Sequence, residues 1–249
     1  MKFQKGKERN TMLGQFGCSS RWLFAAVAVL ACLSLIPTAS AAVAGTFNES
    51  SCSGGGVTVT STTITWTPSG TVGGTGCIDT GIGTDVTYSG GTLLSGDPGN
   101  IEDLTMGGGS VNDFMTFSGT TLDFVLTALG PGSGNLNCTG LAVGSSCSIV
   151  AGSPFLLTNA GGGNTTVTLS AVGTILDGGV SSNWFGAFTT QLNETPDQLQ
   201  AAFIASGSIS SAQSGQFTVT VLPEPASMTL LGAGLLAIAI AARKRRTRV

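Results

Sequence analysis

Short runs of alternating apolar and polar residues recur along the central part of the chain. Residues 57–60 read Val-Thr-Val-Thr, and 122–128, 167–171 and 217–221 alternate in the same way. A period of two puts successive side chains on opposite faces of a β-strand. These runs therefore predict strands with one buried face and one face in water.

Turn-forming residues separate these runs. Glycine pairs and triplets stand between them, as do Asp-Pro-Gly-Asn at 97–100 and Asp-Gly-Gly at 177–179, and such clusters mark turns. Residues 64–66 follow 57–60 with the opposite parity, so we expect a bulge or bend near 61–63. Further strands are predicted at 84–88, 111–117, 147–151, 154–158 and 183–191.

Strands of this length and spacing predict an all-β domain. Residues 42–222 contain 33 Gly, 29 Thr and 22 Ser, but disordered chains lack the apolar runs found here. We expect a single β-sandwich, jelly-roll or immunoglobulin-like. A β-helix is the alternative, although no repeat of fixed length supports it.

One helix is predicted near the end of this domain. Residues 195–198, Thr-Pro-Asp-Gln, supply an N-cap, a proline at the first helical position, an acid in the first turn and Gln three residues after the cap. Leu199, Ala202 and Phe203 then share one face, and Gly207 ends the helix. We expect about three turns packed over an edge or an end of the sheets.

The first 41 residues are typical of a secretory signal peptide. A basic start is followed by the apolar run 22–36, a proline, and Ala-Ser-Ala at 39–41, which fits the small-x-small cleavage rule. We expect cleavage after Ala41, with Ala44 as the alternative. The other interpretation is an uncleaved anchor.

A second apolar segment lies near the C-terminus. Residues 226–242 carry no charge, and the basic tail Arg-Lys-Arg-Arg follows at 243–246. Seventeen helical residues span roughly 25 Å, enough for a thin hydrocarbon core. The positive-inside rule places the tail in the cytoplasm, so we expect a transmembrane helix with residues 42–222 on the outer side.

The motif before this helix is specific. Pro223, Glu224 and Pro225 directly precede the apolar segment, and the whole of 223–249 resembles the PEP-CTERM sorting signal. The resemblance implies recognition by an exosortase, a membrane Cys transpeptidase-like enzyme. It also implies removal of the helix near the motif, with release or anchoring at the surface of a bacterium that makes exopolysaccharide.

The central domain is also similar to PEP-CTERM proteins of unassigned function, through residues 140–142, 153–155 and 188–192. This second resemblance implies no activity. Sorting signals occur on many unrelated domains, so the function of 42–222 has to be inferred from its own residues.

Charge excludes several functions. No Lys or Arg occurs between Arg21 and Arg243, whereas residues 42–222 contain eleven acids, a formal charge of −11. Nucleic acid is therefore not an expected partner, because its phosphates need basic side chains. The chain contains no His, which excludes Ser-His-Asp and Cys-His catalysis and His-ligated metals.

Four cysteines remain after the signal peptide: Cys52, Cys77, Cys138 and Cys147. An even count in an exported chain indicates two disulfides. Three pairings exist, and we favour Cys52–Cys77 with Cys138–Cys147 because each closes a local loop. Zinc binding would require closer pairs of the Cys-x-x-Cys kind.

The candidate chemistry is limited to oxygen ligands and aromatic rings. Asp97, Asn100, Glu102 and Asp103 lie on one turn and would suit Ca²⁺, although they lack the EF-hand pattern. Glycosidase catalysis would pair Glu102 and Asp103 with Asp97 or Asp113. We expect no enzymatic activity.

Aromatic residues offer a further hypothesis. Trp66, Tyr88 and Trp184 could stack on sugar rings if they are exposed, although both tryptophans also fit a core position.

The main expectation is an exported surface or matrix protein with a structural or adhesive role in an exopolysaccharide layer or biofilm. The alternative is a glycan-binding module. During export we expect contacts with signal peptidase, with the exosortase and, transiently, with the inner membrane. After export the expected partner is exopolysaccharide.

Overall fold

The computed structural model describes residues 42–67 and 75–221, together with Gly232, Gly234 and Leu235, which are helical. The predicted signal peptide, the Pro-Glu-Pro motif and the rest of the predicted C-terminal helix lie outside the described residues. Among the residues that are described, no helix is long and apolar enough to cross a membrane.

Strands dominate the described part of the domain, and α1 (Pro196–Ser206) is the helix between them. The strands are β1 (Ala44–Ser51), β2 (Gly56–Thr60), β3 (Thr63–Thr67), β4 (Thr75–Thr80), β5 (Asp85–Tyr88), β6 (Gly91–Leu94), β7 (Pro98–Glu102), β8 (Leu104–Thr105), β9 (Val111–Phe117), β10 (Asp123–Leu129), β11 (Ser146–Cys147), β12 (Phe155–Gly161), β13 (Asn164–Asp177), β14 (Val180–Leu192), β15 (Ser208–Ser211) and β16 (Ser214–Val221).

Eight of these strands form a closed barrel, so the prediction of a β-sandwich is wrong. Strands β10, β9, β7, β4, β1, β16, β14 and β13 pair in that order, each antiparallel to the next. Strand β10 then pairs with β13, with Phe124 opposite Ile175, and this pairing closes the ring. Alternation cannot distinguish the two folds, because sandwiches and barrels both bury one face of each strand.

Aromatic side chains fill the barrel. The Phe47 and Phe217 rings stack with centroids 4.7 Å apart, and Phe124 meets Phe47 edge-on at 5.0 Å. Phe188 meets Phe217 edge-on at 4.9 Å. Such offset and edge-to-face contacts add to the free energy gained from area burial alone. The barrel interior is therefore a packed core and not a channel.

Trp184 ties three neighbouring strands together from inside. Its ring is 1% exposed, and its Nε1–H donates to the carbonyl oxygens of Thr174 at 3.0 Å and of Val125 at 3.2 Å. A buried indole N–H needs such partners. The bond to Val125 joins β14 to β10 across the strand pair that closes the barrel.

Inward-facing glycines make room for these rings. Gly173 pairs with Trp184, and Gly186 pairs with Phe217. A Cβ at Gly173 would meet the Val125 carbonyl oxygen and would lie 2.6 Å from the indole of Trp184. Glycine normally weakens a strand, and its presence here marks a close approach of side chains and backbone.

A second, four-stranded sheet of order β15-β2-β3-β8 covers one side of this core. Its apolar residues Val57, Val59 and Ile64 line a cavity of about 70 Å³ together with residues of β12, β13, β14 and α1. Strands β2 and β3 form a hairpin that turns at residues 61 and 62. The structure therefore has a tight turn where a bulge or bend was expected near 61–63. This turn reverses the chain, and it explains why the apolar positions of 64–66 have the opposite parity to those of 57–60.

The helix confirms its sequence prediction. The Thr195 backbone N–H donates to Gln198 Oε1 at 2.9 Å, which satisfies one free donor at the helix start. Leu199 and Phe203 are buried, whereas Ala202 is exposed. Gly207 ends the helix with φ of 77°, and its N–H bonds to the Phe203 carbonyl at 2.8 Å.

Replacing Gly173 by Ala tests the packing of the barrel. We expect Gly173→Ala to lower the free energy of unfolding by about 1–3 kcal/mol, because the methyl group overpacks the space between the Val125 carbonyl and Trp184. Urea unfolding followed by tryptophan fluorescence measures this. The control is Gly109→Ala, whose Cβ would have no neighbour within 4 Å. Equal stability of the two variants would contradict the packing described.

Candidate functional site

Both predicted disulfides are confirmed. Cys52 pairs with Cys77, with Cα atoms 5.6 Å apart, and Cys138 pairs with Cys147, with Cα atoms 5.3 Å apart. The first bond joins the residue after β1 to the neighbouring strand β4. The second closes the loop that leads from β10 to β11. Each bond limits the freedom of the unfolded chain and thereby stabilises the fold.

The disulfides predict a defined thiol count. The exported protein, unfolded in guanidinium without reductant, should show no thiol that reacts with Ellman's reagent. Loss of the first bond in Cys52→Ser/Cys77→Ser should lower stability by about 2–4 kcal/mol, because this loop is then open in the unfolded state. Four reactive thiols per domain would contradict the assignment.

The four residues predicted to bind Ca²⁺ do not form one cluster. Asp97 Oδ2 accepts a hydrogen bond from the Leu94 N–H at 2.8 Å, and Asp103 Oδ1 accepts one from the Trp66 N–H at 2.8 Å. Asn100 and Glu102 lie on β7. No group of three or more acidic or cysteine side chains that could hold a metal occurs in residues 42–67 and 75–221.

The carboxylates considered for glycosidase chemistry lie on different elements. Glu102 ends β7 and Asp113 lies on the neighbouring strand β9. Partial burial raises the pKa of Glu102, and the negative charges of Asp103 and Asp113 raise it further. Asp113 has a φ of 53°, at the point where the β9–β10 register shifts.

The tryptophans proposed for sugar stacking are core residues. Trp66 is 2% exposed and Trp184 is 1% exposed, so neither ring can stack on a glycan in this structure. Tyr88 is half-buried at the end of β5 and packs against the core. The hypothesis of stacking by these tryptophans is therefore wrong, because the parity of β3 and β14 turns both rings inward.

A buried carboxyl group lies inside the barrel. Glu49 on β1 is 2% exposed, and its Oε2 accepts a hydrogen bond from Gln213 Nε2 at 2.9 Å. Its Oε1 has no partner among the described residues. Burial raises the pKa of Glu49 to about 7, and the bond from Gln213 opposes this only in part. Residues 42–222 contain no Lys or Arg that could pair with this carboxylate, so its buried charge is neutralised by protonation instead.

This carboxyl predicts a pH-dependent stability. The folded state holds the proton of Glu49 more tightly than the unfolded chain does, because the pKa of this carboxyl has its ordinary value of 4.5 in the unfolded chain. The stability that Glu49 contributes is therefore full below pH 4.5 and is lost as the pH rises through 7, by roughly 3 kcal/mol at most. We expect the Tm to be higher at pH 5 than at pH 8.5.

The variant Glu49→Gln should flatten this dependence, because the amide resembles the protonated acid and never ionises. The raised pKa values of Glu102 and Asp123 act in the same direction, so part of the slope should remain. The exposed Glu194 provides the matched control as Glu194→Gln. Identical slopes of Tm against pH in the wild type and Glu49→Gln would refute the account of this site.

A second buried carboxylate is held by hydroxyl and amide groups. Asp177, at the turn between β13 and β14, is 1% exposed and accepts bonds from the Ser89 N–H at 2.6 Å, the Ser89 hydroxyl at 2.9 Å and the Thr121 hydroxyl at 2.7 Å. Burial acts to raise the pKa of Asp177, but these bonds outweigh it and lower the pKa. Asp177 thus fixes the β5–β6 turn and the segment that leads into β10 to this end of the barrel.

The outer wall of the barrel presents a broad uncharged surface, here called the hydroxyl face. It is formed by β13, β14, β16 and β1, whose registers align outward residues in three rows of four. The rows are Val172-Phe185-Thr218-Thr46, Ser170-Ala187-Gln216-Asn48 and Thr168-Thr189-Ser214-Ser50. Most of these residues line a shallow groove of about 860 Å³.

Phe185 stands out on this face. Its ring is 50% exposed, and Val172, directly opposite on β13, is 43% exposed. Phe185 was not predicted as an exposed residue, because the strand predicted at 183–191 does not show by itself which of Trp184 and Phe185 faces inward. The sequence signal that could have identified the outward face is the series of Ser and Thr residues along these strands, since those residues favour the solvent-exposed face of a strand.

Comparison with known proteins identifies the sorting signal. Residues 221–246 match the PEP-CTERM protein-sorting motif, which contains the predicted Pro223, Glu224 and Pro225. No curated protein and no solved structure matches the chain. The chain is consistent with a PEP-CTERM protein, an exported protein that an exosortase sorts toward the cell surface.

Proposed function

We propose that the protein is a non-enzymatic structural or adhesive component of the extracellular polysaccharide layer. Signal peptidase would remove residues 1–41, and the apolar segment 226–242 would hold the precursor in the inner membrane until the exosortase acts near Pro223-Glu224-Pro225. The barrel would then remain among the polysaccharide chains.

The hydroxyl face is the observation that carries this proposal. Nine of its twelve positions are Ser, Thr, Asn or Gln, and none is charged. Hydroxyl and amide groups both donate and accept hydrogen bonds, as do the hydroxyl groups of a polysaccharide. A surface of this kind can exchange its bound water for sugar hydroxyls without burying an unpaired charge.

The construction of the domain also suits an extracellular position. The barrel strands pair on both sides, which removes most of the free edges through which strands associate with other chains. The two disulfides persist in an oxidising compartment. Both features support a long-lived protein outside the cell.

Fractionation of the producing cells tests the proposed function. An epitope tag inserted in the loop at Gly134, a position open to solvent, would follow the full chain through export. We expect the wild type to co-purify with the polysaccharide and to be released when that polysaccharide is digested. A wild-type protein that is free in the medium, whether or not the polysaccharide is digested, would overturn the proposal.

The sorting step has its own variant. Replacing Pro223, Glu224 and Pro225 by alanine should leave the tagged chain in the inner membrane, with the mass of the C-terminal segment retained. The matched control is Pro131→Ala in an exposed loop, which should reach the polysaccharide fraction like the wild type. Intact-mass measurement on each fraction separates a failure of sorting from a failure of retention.

A further inference from the structure

We propose that the hydroxyl face binds a neutral polysaccharide, with Phe185 as the ring on which a sugar stacks. This inference rests on the proposed function, because it names the ligand that would retain the protein in the extracellular layer. It moves the sugar-binding role from the buried tryptophans to a residue that the structure exposes.

The position of Phe185 supports stacking. The ring projects from β14 with half of its surface in water, and the backbone beneath it is fixed by pairing with β13 on one side and β16 on the other. Aromatic rings supply a rigid apolar contact surface at a low cost in conformational entropy. Val172 opposite extends this apolar surface by one strand. The apolar face of a sugar ring would cover both side chains.

The surrounding groups match the polar edge of a sugar. In the adjacent row, Gln216 lies opposite Asn48 across β16 and β1. The Asn48 side-chain Nδ2 donates to the Ile82 carbonyl oxygen at 2.7 Å, which fixes the orientation of this amide before any ligand arrives. Thr218 and Thr46 lie beside Phe185 in its own row. Polar groups held in place beside an apolar contact surface can fix the orientation of a bound ligand.

The dimensions of the face fit a chain rather than a single sugar. Four strands at about 4.8 Å spacing give a width of roughly 14 Å between the outer strand axes. The groove along the face is shallow and about 860 Å³ in volume. A polysaccharide lying across the strands could place one ring on Phe185 and neighbouring rings on the hydroxyl rows.

The charges near the face select a neutral ligand. Two acids lie at its border. Asp79 on β4 is opposite Ser50 of β1, and Asp85 on β5 is opposite Thr46 of β1. Residues 42–222 contain no Lys or Arg that could neutralise an anionic sugar. A polyanion would therefore meet only like charges, which disfavour its approach.

A second copy of the chain is a poorer fit to the same surface. The buried core of a protein–protein interface is largely apolar, whereas only Val172, Phe185 and Ala187 are apolar on this face. Self-association would bury nine polar positions that each need a partner. The chemistry thus favours a hydrated, hydroxyl-rich partner.

Calorimetry on the processed protein recovered from producing cells tests the inference. The probes are neutral hexasaccharides of glucose, mannose and galactose, with an alginate hexasaccharide as the anionic probe. We expect binding to at least one neutral probe and none to alginate. Phe185→Ala should weaken that binding on the order of tenfold or more, and Phe185→Trp should retain it.

The matched control is Ile204→Ala, which removes an apolar side chain that is 70% exposed on α1, away from the face; it should bind like the wild type. Near-ultraviolet circular dichroism checks that each variant is folded.

The inference is overturned if no neutral probe binds, if alginate is preferred, or if Phe185→Ala binds as the wild type does. Sedimentation that shows a dimer dissociated by Phe185→Ala would also overturn it. Retention in the polysaccharide fraction is measured separately, so the proposed function can stand when this inference fails.

Discussion

The exported domain has to accommodate eleven carboxylates without a single basic side chain in residues 42–222. Where a carboxylate is buried, the fold supplies other partners. Asp177 keeps its charge because hydroxyl and amide donors surround it, whereas Glu49 meets only one amide donor and holds its proton up to about pH 7. Stability must then come from apolar packing, strand pairing and the disulfides, because no ion pair is available within the domain.

The aromatic core and the closed barrel depend on each other. The pairing of β10 with β13 brings Phe124 onto Phe47 and lets Trp184 bond to the Val125 carbonyl. Inward glycines such as Gly173 give these rings their space. The outward positions of the same strands are then free to carry hydroxyl and amide groups. One set of strands thus provides both the core and the face proposed to meet polysaccharide.

The local features of the fold could be predicted from the sequence, whereas the pairing of strands that are distant along the chain could not. The strand predicted at residues 111–117 has the bounds of β9, and the Thr-Pro-Asp-Gln signal located α1. Of the three possible disulfide pairings, the one favoured from the sequence because it closes two local loops is the observed one. Closure joins β10 to β13, about 50 residues away along the chain, and no local pattern carries that information. The choice between Trp184 and Phe185 as the exposed ring likewise depends on which face of β14 closes over the core.

The salt dependence of stability tests the central claim most directly, because ion pairs and unpaired carboxylates respond to salt in opposite ways. Salt screens the attraction within ion pairs and also the repulsion among like charges. The measurement is the Tm of the processed protein at pH 8 between 20 mM and 500 mM NaCl. A domain of charge −11 held by neutral interactions should keep its Tm or become more stable as salt increases. A steady fall of the Tm with salt would contradict the account.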